Sequence, residues 1–364
     1  MKVVCCLFLI SGLIIHSARG QNKDMGVHKT PIWKQGQDGI FAYFVYGLTV
    51  TQQGTVLAFA EARIDDGKDD GAHHIVMWRS TDSTSTILVE SKNGQCWANP
   101  TVVEDRKTNE LFLFYALNEK NNSSRVFYIS SKDDGKNWSA PVELTHLFAG
   151  DWPFHLPGPG HGIQLKNKRL IVPVWHRQSI VLPAKERAYT VNCIYSDDHG
   201  KTWKAGGNTP VGELNESQIE EKKNGHLLLI GRTITARDGV SQAAVISKNR
   251  GRSWSSPIKY VDGLGGKACD IGMIRYSFKP DILLVSQPAD QGKRNNLTIR
   301  MSKDGGKTWP VSKLLEAGGA TYSDLAVMPD KTIVCLYGHG GTAHMPQQVS
   351  LARFDMEWLQ NQEK

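Results

Sequence analysis

The sequence predicts an all-β fold, a β-propeller of four-stranded antiparallel sheets, and three observations carry that prediction. An eight-residue pattern, Ser-x-Asp/Asn-x-Gly-x-Thr/Ser/Asn-Trp, occurs at Ser131 to Trp138, Ser196 to Trp203, Ser247 to Trp254 and Ser302 to Trp309. Successive tryptophans are 65, 51 and 55 residues apart, so each copy belongs to a unit the size of one propeller blade. Ahead of the first copy the chain runs in short β-rich segments separated by turn residues, Phe41 to Thr51, then Gln52-Gln53-Gly54, then Thr55 to Arg63, which reads as a hairpin. Ser80-Thr81-Asp82 keeps a trace of the pattern without its Gly and Trp.

The pattern has the chemistry of a turn. A short Asp or Asn accepts hydrogen bonds from backbone N–H groups just ahead, Gly supplies a positive φ, and Trp buries a large ring between sheets. It is scaffold, and by itself says nothing about activity.

The two ends and the composition bound the setting. Met1 to Gly20 reads as a secretory signal: Lys2, an apolar run from Val3 to Ile15, then Ser17, Ala18 and Gly20. Residues 21–364 follow as one domain, and no later stretch is long enough to span a bilayer. The expectation is a secreted protein. The formal charge of +7 falls to +5 without Lys2 and Arg19, and its basic residues are scattered among acidic ones, which argues against nucleic acid as a partner. Cys96, Cys193, Cys269 and Cys335 remain, compatible with zero, one or two disulfides. Among the sequons at Asn121, Asn122, Asn137, Asn215 and Asn296, the first cluster is the expected glycosylation site.

The repeats resemble the Asp boxes of the sialidase superfamily, which are six-bladed propellers, and further motifs from about residue 40 to 350 extend the resemblance. Glu61-Ala62-Arg63 matches the end of the family's Tyr-Arg-Ile-Pro-x-Leu, turn, Ala-Glu-x-Arg signature, and Arg63 is expected at the substrate. The start departs from it: Phe44 stands at the position of the family's first carboxylate-binding arginine and Tyr46 at that of its proline. Downstream, Gly338 follows Leu336-Tyr337 where the family has the glutamate that braces that arginine. Arginine and brace are absent together, which implies a coherent remodelling of one corner. One lost charge-assisted contact costs about 1.5–3 kcal/mol, too little to abolish binding.

The resemblance assigns roles to the remaining candidates. The acidic loop Asp65 to Gly71 carries the acid/base, Asp69 aligning best and Asp70 lying one position off and near the substrate. A catalytic acid needs a raised pKa, and the acidic neighbours are expected to supply it. Glu216, in Glu213 to Glu220, is the glutamate that activates the nucleophile. Arg232 and Arg294 are the other two arginines of the carboxylate clamp, and Tyr322, in Tyr-Ser-Asp-Leu, is the nucleophile. The loop Phe154 to Ile163 resembles a Pro-Gly-x-Gly-Ile loop of the catalytic face, which places His161 against substrate. A neutral phenol suits a sugar whose anomeric carbon bears a carboxylate, since an anionic nucleophile would be repelled.

These residues imply an exo-α-sialidase-like glycoside hydrolase, without cofactor or metal, acting on sialylated or other acidic glycans of glycoproteins, glycolipids or polysaccharides. Two alternatives stand beside it. One is a propeller lyase for uronic-acid glycans using His73, His74, His161, His176 and His339; the other is a non-catalytic lectin.

Overall fold

The computed structural model of the protein describes residues 26–148, 152–178, 187–255, 258–341 and 345–361. The signal-like segment 1–20 lies outside them.

The strands group into six four-stranded antiparallel blades. From the axis outward, blade 1 is Ala42–Val50, Val56–Arg63, His73–Arg79 and Thr84–Val89; blade 2 is Cys96–Asp105, Glu110–Glu119, Ser123–Ser131 and Val142–Glu143. In blade 3 the innermost strand is interrupted, Phe154–Pro157 and then Ile163–Gln164, both pairing with Leu170–Arg177, and Tyr189–Ser196 and Lys204–Ala205 complete it. Blade 4 is Leu214–Glu221, Leu227–Arg237, Val240–Ser247 and Lys259–Tyr260. The 17-residue strand Val311–Val327 serves two blades, ending blade 5 after Gly272–Phe278, Asp281–Pro288 and Asn295–Ser302, then opening blade 6. Blade 6 continues with Ile333–His339 and Gln348–Phe354 and takes its outermost strand, His28–Lys34, from the other end of the chain.

The four repeats occupy equivalent turns, between the third and fourth strands of blades 2 to 5. In the last copy Ser302 Oγ donates to Asp304 Oδ1 at 2.8 Å and accepts from Gly306 N at 2.8 Å. Thr308 donates to the same carboxylate through its N–H at 3.0 Å and its hydroxyl at 2.7 Å. The residue before each glycine also has positive φ, at Asp134, His199, Arg250 and Gly305, so the turn bends left twice. The glycine is required for a second reason: a β-carbon at Gly200 would collide with the Phe112 ring of the preceding blade, and one at Gly306 with Leu228. The tryptophans fill the same seams; Trp309 packs with Leu228, Ile230 and Leu283, across blades 4 and 5. The Ser80 trace lies at the matching turn of blade 1. Blade 6 has no such turn, because its third and fourth strands come from opposite ends of the chain.

Four buried cysteines are free thiols. Asn122 is exposed on its turn, whereas Asn215 is buried. The tail forms a docked helical turn, Met356–Gln360: the Asp355 side chain accepts from Trp358 N at 2.7 Å and Leu359 is buried. Among the described residues no helix is long and apolar enough to cross a membrane.

Candidate active site

All six innermost strands run in the same direction along the axis, so their first residues gather at one end. Tyr322 enters from blade 6, Glu216 from blade 4, Phe44 from blade 1 and Asp270 from the segment leading into blade 5. Second strands add Arg63 and Arg232, and Arg294 precedes the third strand of blade 5.

Tyr322 Oη donates to the Glu216 carboxylate, 2.6 Å from Oε1 and 2.8 Å from Oε2. Arg232 Nη1 donates to Glu216 Oε2 at 2.6 Å and to Tyr322 Oη at 3.0 Å. Tyr322 is 5 % and Glu216 8 % exposed. Burial, and then the Glu216 charge, push the phenol's pKa well above its ordinary value, against Arg232 and Arg294. At rest the tyrosine is a neutral donor whose proton already points at a carboxylate. Arg294 sits with its guanidinium 5.4 Å from the Tyr322 ring centre, anchored by Nε and Nη2 on the Ala268 carbonyl at 3.2 and 3.1 Å.

A second arm begins at Arg63. Its Nε and Nη2 hold Glu61 Oε2 at 3.1 and 2.8 Å, and its Nη1 donates to the Gly67 carbonyl at 2.6 Å and to Asp69 Oδ1 at 2.8 Å. The Asp69 side chain is 78 % exposed. Desolvation would raise its pKa, but Arg63, by charge and hydrogen bond, outweighs that and holds the carboxyl below its ordinary value. The acidic loop does not raise it, because the arginine is nearer than the like charges. Asp70 is exposed beside it on the loop.

His161 goes elsewhere. Its Nδ1 meets Asp324 Oδ1 at 2.8 Å, and Gly160-His161 pairs in parallel with Thr101-Val102 of blade 2. It lines a cavity of about 300 Å³ shared with Glu220, Arg275 and Ala326. Those residues lie toward the last residues of the innermost strands, so this is the opposite end of the axis from Tyr322. His73 sits against the acidic arm, its Nδ1 3.6 Å from Glu61 Oε2 and its Nε2 on the Lys68 carbonyl, while His74 is engaged on Ser91 N, His155 on His176 and His339 on Ser350. No group of His, Cys, Asp and Glu with metal-binding geometry occurs among the described residues.

The remodelled corner is filled. The Phe44 ring centre lies 4.8 Å from that of Tyr322 and 4.9 Å from the Arg63 guanidinium. A β-carbon at Gly338 would collide with the hydroxyls of Tyr46 and Thr321; Tyr46 therefore occupies the room a side chain at 338 would need. Between the two aromatics Val45 bulges out of register at φ 52°, a strained value for a β-branched residue.

Residues 54–341 match the BNR repeat-like domain. The chain belongs to that family. This BNR repeat-like chain is 29 % identical over 376 residues to a sialidase of Bacteroides fragilis and 30 % over 354 residues to a sialidase of Micromonospora viridifaciens, alignments covering 92 % and 89 % of it. They cover 66 % and 53 % of those proteins, so the chain spans about two-thirds and about half their lengths. In fold it superposes on the Hadza microbial sialidase Hz136 with a TM-score of 0.79 at 24 % identity, over 91 % of this chain and 69 % of that one.

One residue of the BNR repeat-like site escaped the sequence reading. Asp270 is 2 % exposed with Oδ1 unpartnered; burial first, then Glu216 and Asp324, push its pKa well above the ordinary value. The available signal was positional: it lies two residues ahead of the innermost strand Gly272–Phe278, as the other site residues stand near the start of theirs.

Proposed function

We propose that the chain is an exo-acting glycoside hydrolase of sialidase type that releases a terminal 2-keto sugar acid with retention of configuration. The observation that carries this reading is the buried Tyr322 hydroxyl on both Glu216 oxygens, with Arg232 bonded to each partner. Structural tyrosines do not need a carboxylate and a guanidinium converging on one hydroxyl. That convergence suits a phenol that must lose its proton as it attacks.

In the first step Tyr322 Oη bonds to the anomeric carbon and its proton passes to Glu216, while the glycosidic C–O bond breaks and Asp69 protonates the leaving oxygen. In the second, water attacks the same carbon, Asp69 takes its proton, and the phenoxide leaves and recovers the proton from Glu216. Arg294 and Arg232 hold the sugar carboxylate by charge-assisted hydrogen bonds. Asp69 must enter protonated although Arg63 favours its anion; an arriving sugar carboxylate is a like charge and drives it toward the acid form. The aromatic corner at Phe44 leaves the clamp with two arginines, which favours ulosonic acids related to sialic acid, including deaminated and shorter ones. A secretory signal at residues 1–20 would set this activity outside the cell, on sialylated or other acidic glycans.

Among the histidines a lyase would use, only His73 stands beside the candidate site, on the Glu61 side of the acidic arm, and the others are engaged elsewhere. The test is incubation with fluorogenic α-ketosides of N-acetylneuraminic acid and of a shorter ulosonic acid, beside Tyr322→Phe. Release by the native protein and a loss of about a thousandfold or more in the variant is expected. Binding without release from any ketoside would overturn the reading in favour of a lectin.

A further inference from the structure

The two halves of the proposed machinery come from different blades, Arg63 and Asp69 from blade 1, Tyr322 from the neighbouring blade 6, and Glu216 and Arg232 from blade 4. Asp69 hangs on Arg63 at 2.8 Å, and Tyr322 hangs on Glu216 and Arg232. One side chain touches both halves. Phe44, 5 % exposed, presents its ring to the Arg63 guanidinium at 4.9 Å and to the Tyr322 ring at 4.8 Å, tilted by 45°. We infer that Phe44 is a positioning residue that spaces the acid/base arm, Asp69 held by Arg63, from the nucleophile arm, Tyr322 held by Glu216 and Arg232.

Three features make it a fixed spacer. Cation–π attraction ties the ring to Arg63 without a hydrogen bond, and a desolvated contact of this kind is a strong one. Tyr46 packs edge-on against it, ring centres 6.2 Å apart and planes at 89°. The strained bulge at Val45 sits between the two aromatics, and local strain of this kind persists only where the surroundings over-determine it. A ring here also fits the absence of a side chain at Gly338: an arginine at 44 would set a second guanidinium against Arg63, with no acid at 338 to pair with it.

The inference rests on the proposed hydrolysis and makes a prediction that mere packing does not. Departure of a sugar alcohol needs full proton donation, whereas an aryl leaving group departs with little help from the acid. If Phe44 sets where Asp69 stands relative to Tyr322, Phe44→Ala should lose kcat about tenfold or more beyond its loss on an aryl ketoside when the leaving group is a sugar, with KM changing much less. Phe44→Leu, which keeps bulk without the aromatic face, should show the same bias at a few-fold and serves if the alanine variant does not fold. An equal loss on both leaving groups, or none, overturns the inference.

A readout independent of turnover accompanies it. Carbon-13 NMR titration of the Asp69 carboxyl, which faces Arg63, His73, Arg232 and Glu61 and whose backbone carbonyl accepts from Cys96 Sγ, should show its pKa rising in Phe44→Ala as Arg63 loosens; an unchanged value counts against the spacer. If the native protein releases no sugar, the hydrolase reading fails, and this titration still decides whether Phe44 holds the acidic arm.

Discussion

The outer turns and the axial site are built in opposite ways. Each turn is closed within eight residues, its Asp or Asn bonded to its own backbone and to a hydroxyl or amide four residues on. The site gathers its groups from strands and loops of several blades: Glu216 and Tyr322 are 106 residues apart and in hydrogen-bond contact. Locally closed turns can be repeated with little change. A site assembled across blades has one copy of each part, and each part must fit its neighbours at once.

Breaking the site should cost activity and leave the ring standing. Glu216→Gln keeps shape and hydrogen bonding but removes the base, so kcat should fall about a hundredfold or more. A thermal midpoint within a few degrees of native should accompany it; retained activity would remove Glu216 from the mechanism.

The filled corner offers an intermediate case, where site and scaffold meet. Gly338→Ala forces a methyl into the Tyr46 and Thr321 hydroxyls, at a cost of about 1–3 kcal/mol. Tyr46→Phe in the same chain should recover part of that, read as the coupling energy of a double-mutant cycle in urea. Additive effects would mean that Tyr46 does not fill the space of residue 338.

The turns should respond most gently, and to acid. The Asn137 N–H holds the Asp133 carboxyl down to about 2, the Thr202 hydroxyl does so for Asp198, and Thr308 does so for Asp304 against partial burial. Their folded pKa lies below the ordinary 3.8, so the stabilisation is complete above that value and is lost as pH falls through about 2. Asp→Asn at all three should flatten the decline in thermal midpoint between these pH values. Asn249, already an amide in the blade 4 turn, is the internal control, and its replacement by Ala should leave the acid dependence unchanged.

The same contrast explains what was legible. The turns could be read because their cause is contained in eight residues, yet four copies do not declare six blades; blade 1 keeps only Ser80-Thr81-Asp82, and blade 6 is split between the chain ends. Glu216, Arg232 and Tyr322 could be read through family resemblance, and the structure brings them into contact. His161 could not be placed, because the glycine-rich loop around it folds inward: a β-carbon at Gly160 would strike Gln218, and the histidine lands on Asp324. The acidic loop suggested a raised pKa at Asp69, but a single arginine at 2.8 Å outweighs several carboxylates farther away. Phe44 and Gly338 looked like two losses. In three dimensions they bracket an aromatic wedge that no sequence pattern announces.

The pairing of His28–Lys34 with Gln348–Phe354 bears on how the molecule is made. The earliest of the described strands to leave the ribosome waits for its partner until some 320 further residues are synthesised, and until then its edge has nothing to zip onto. Proteolytic trimming ahead of Trp33 would likewise unfasten the circle at its clasp, and a fusion partner joined directly there would compete with the final strand for the same edge.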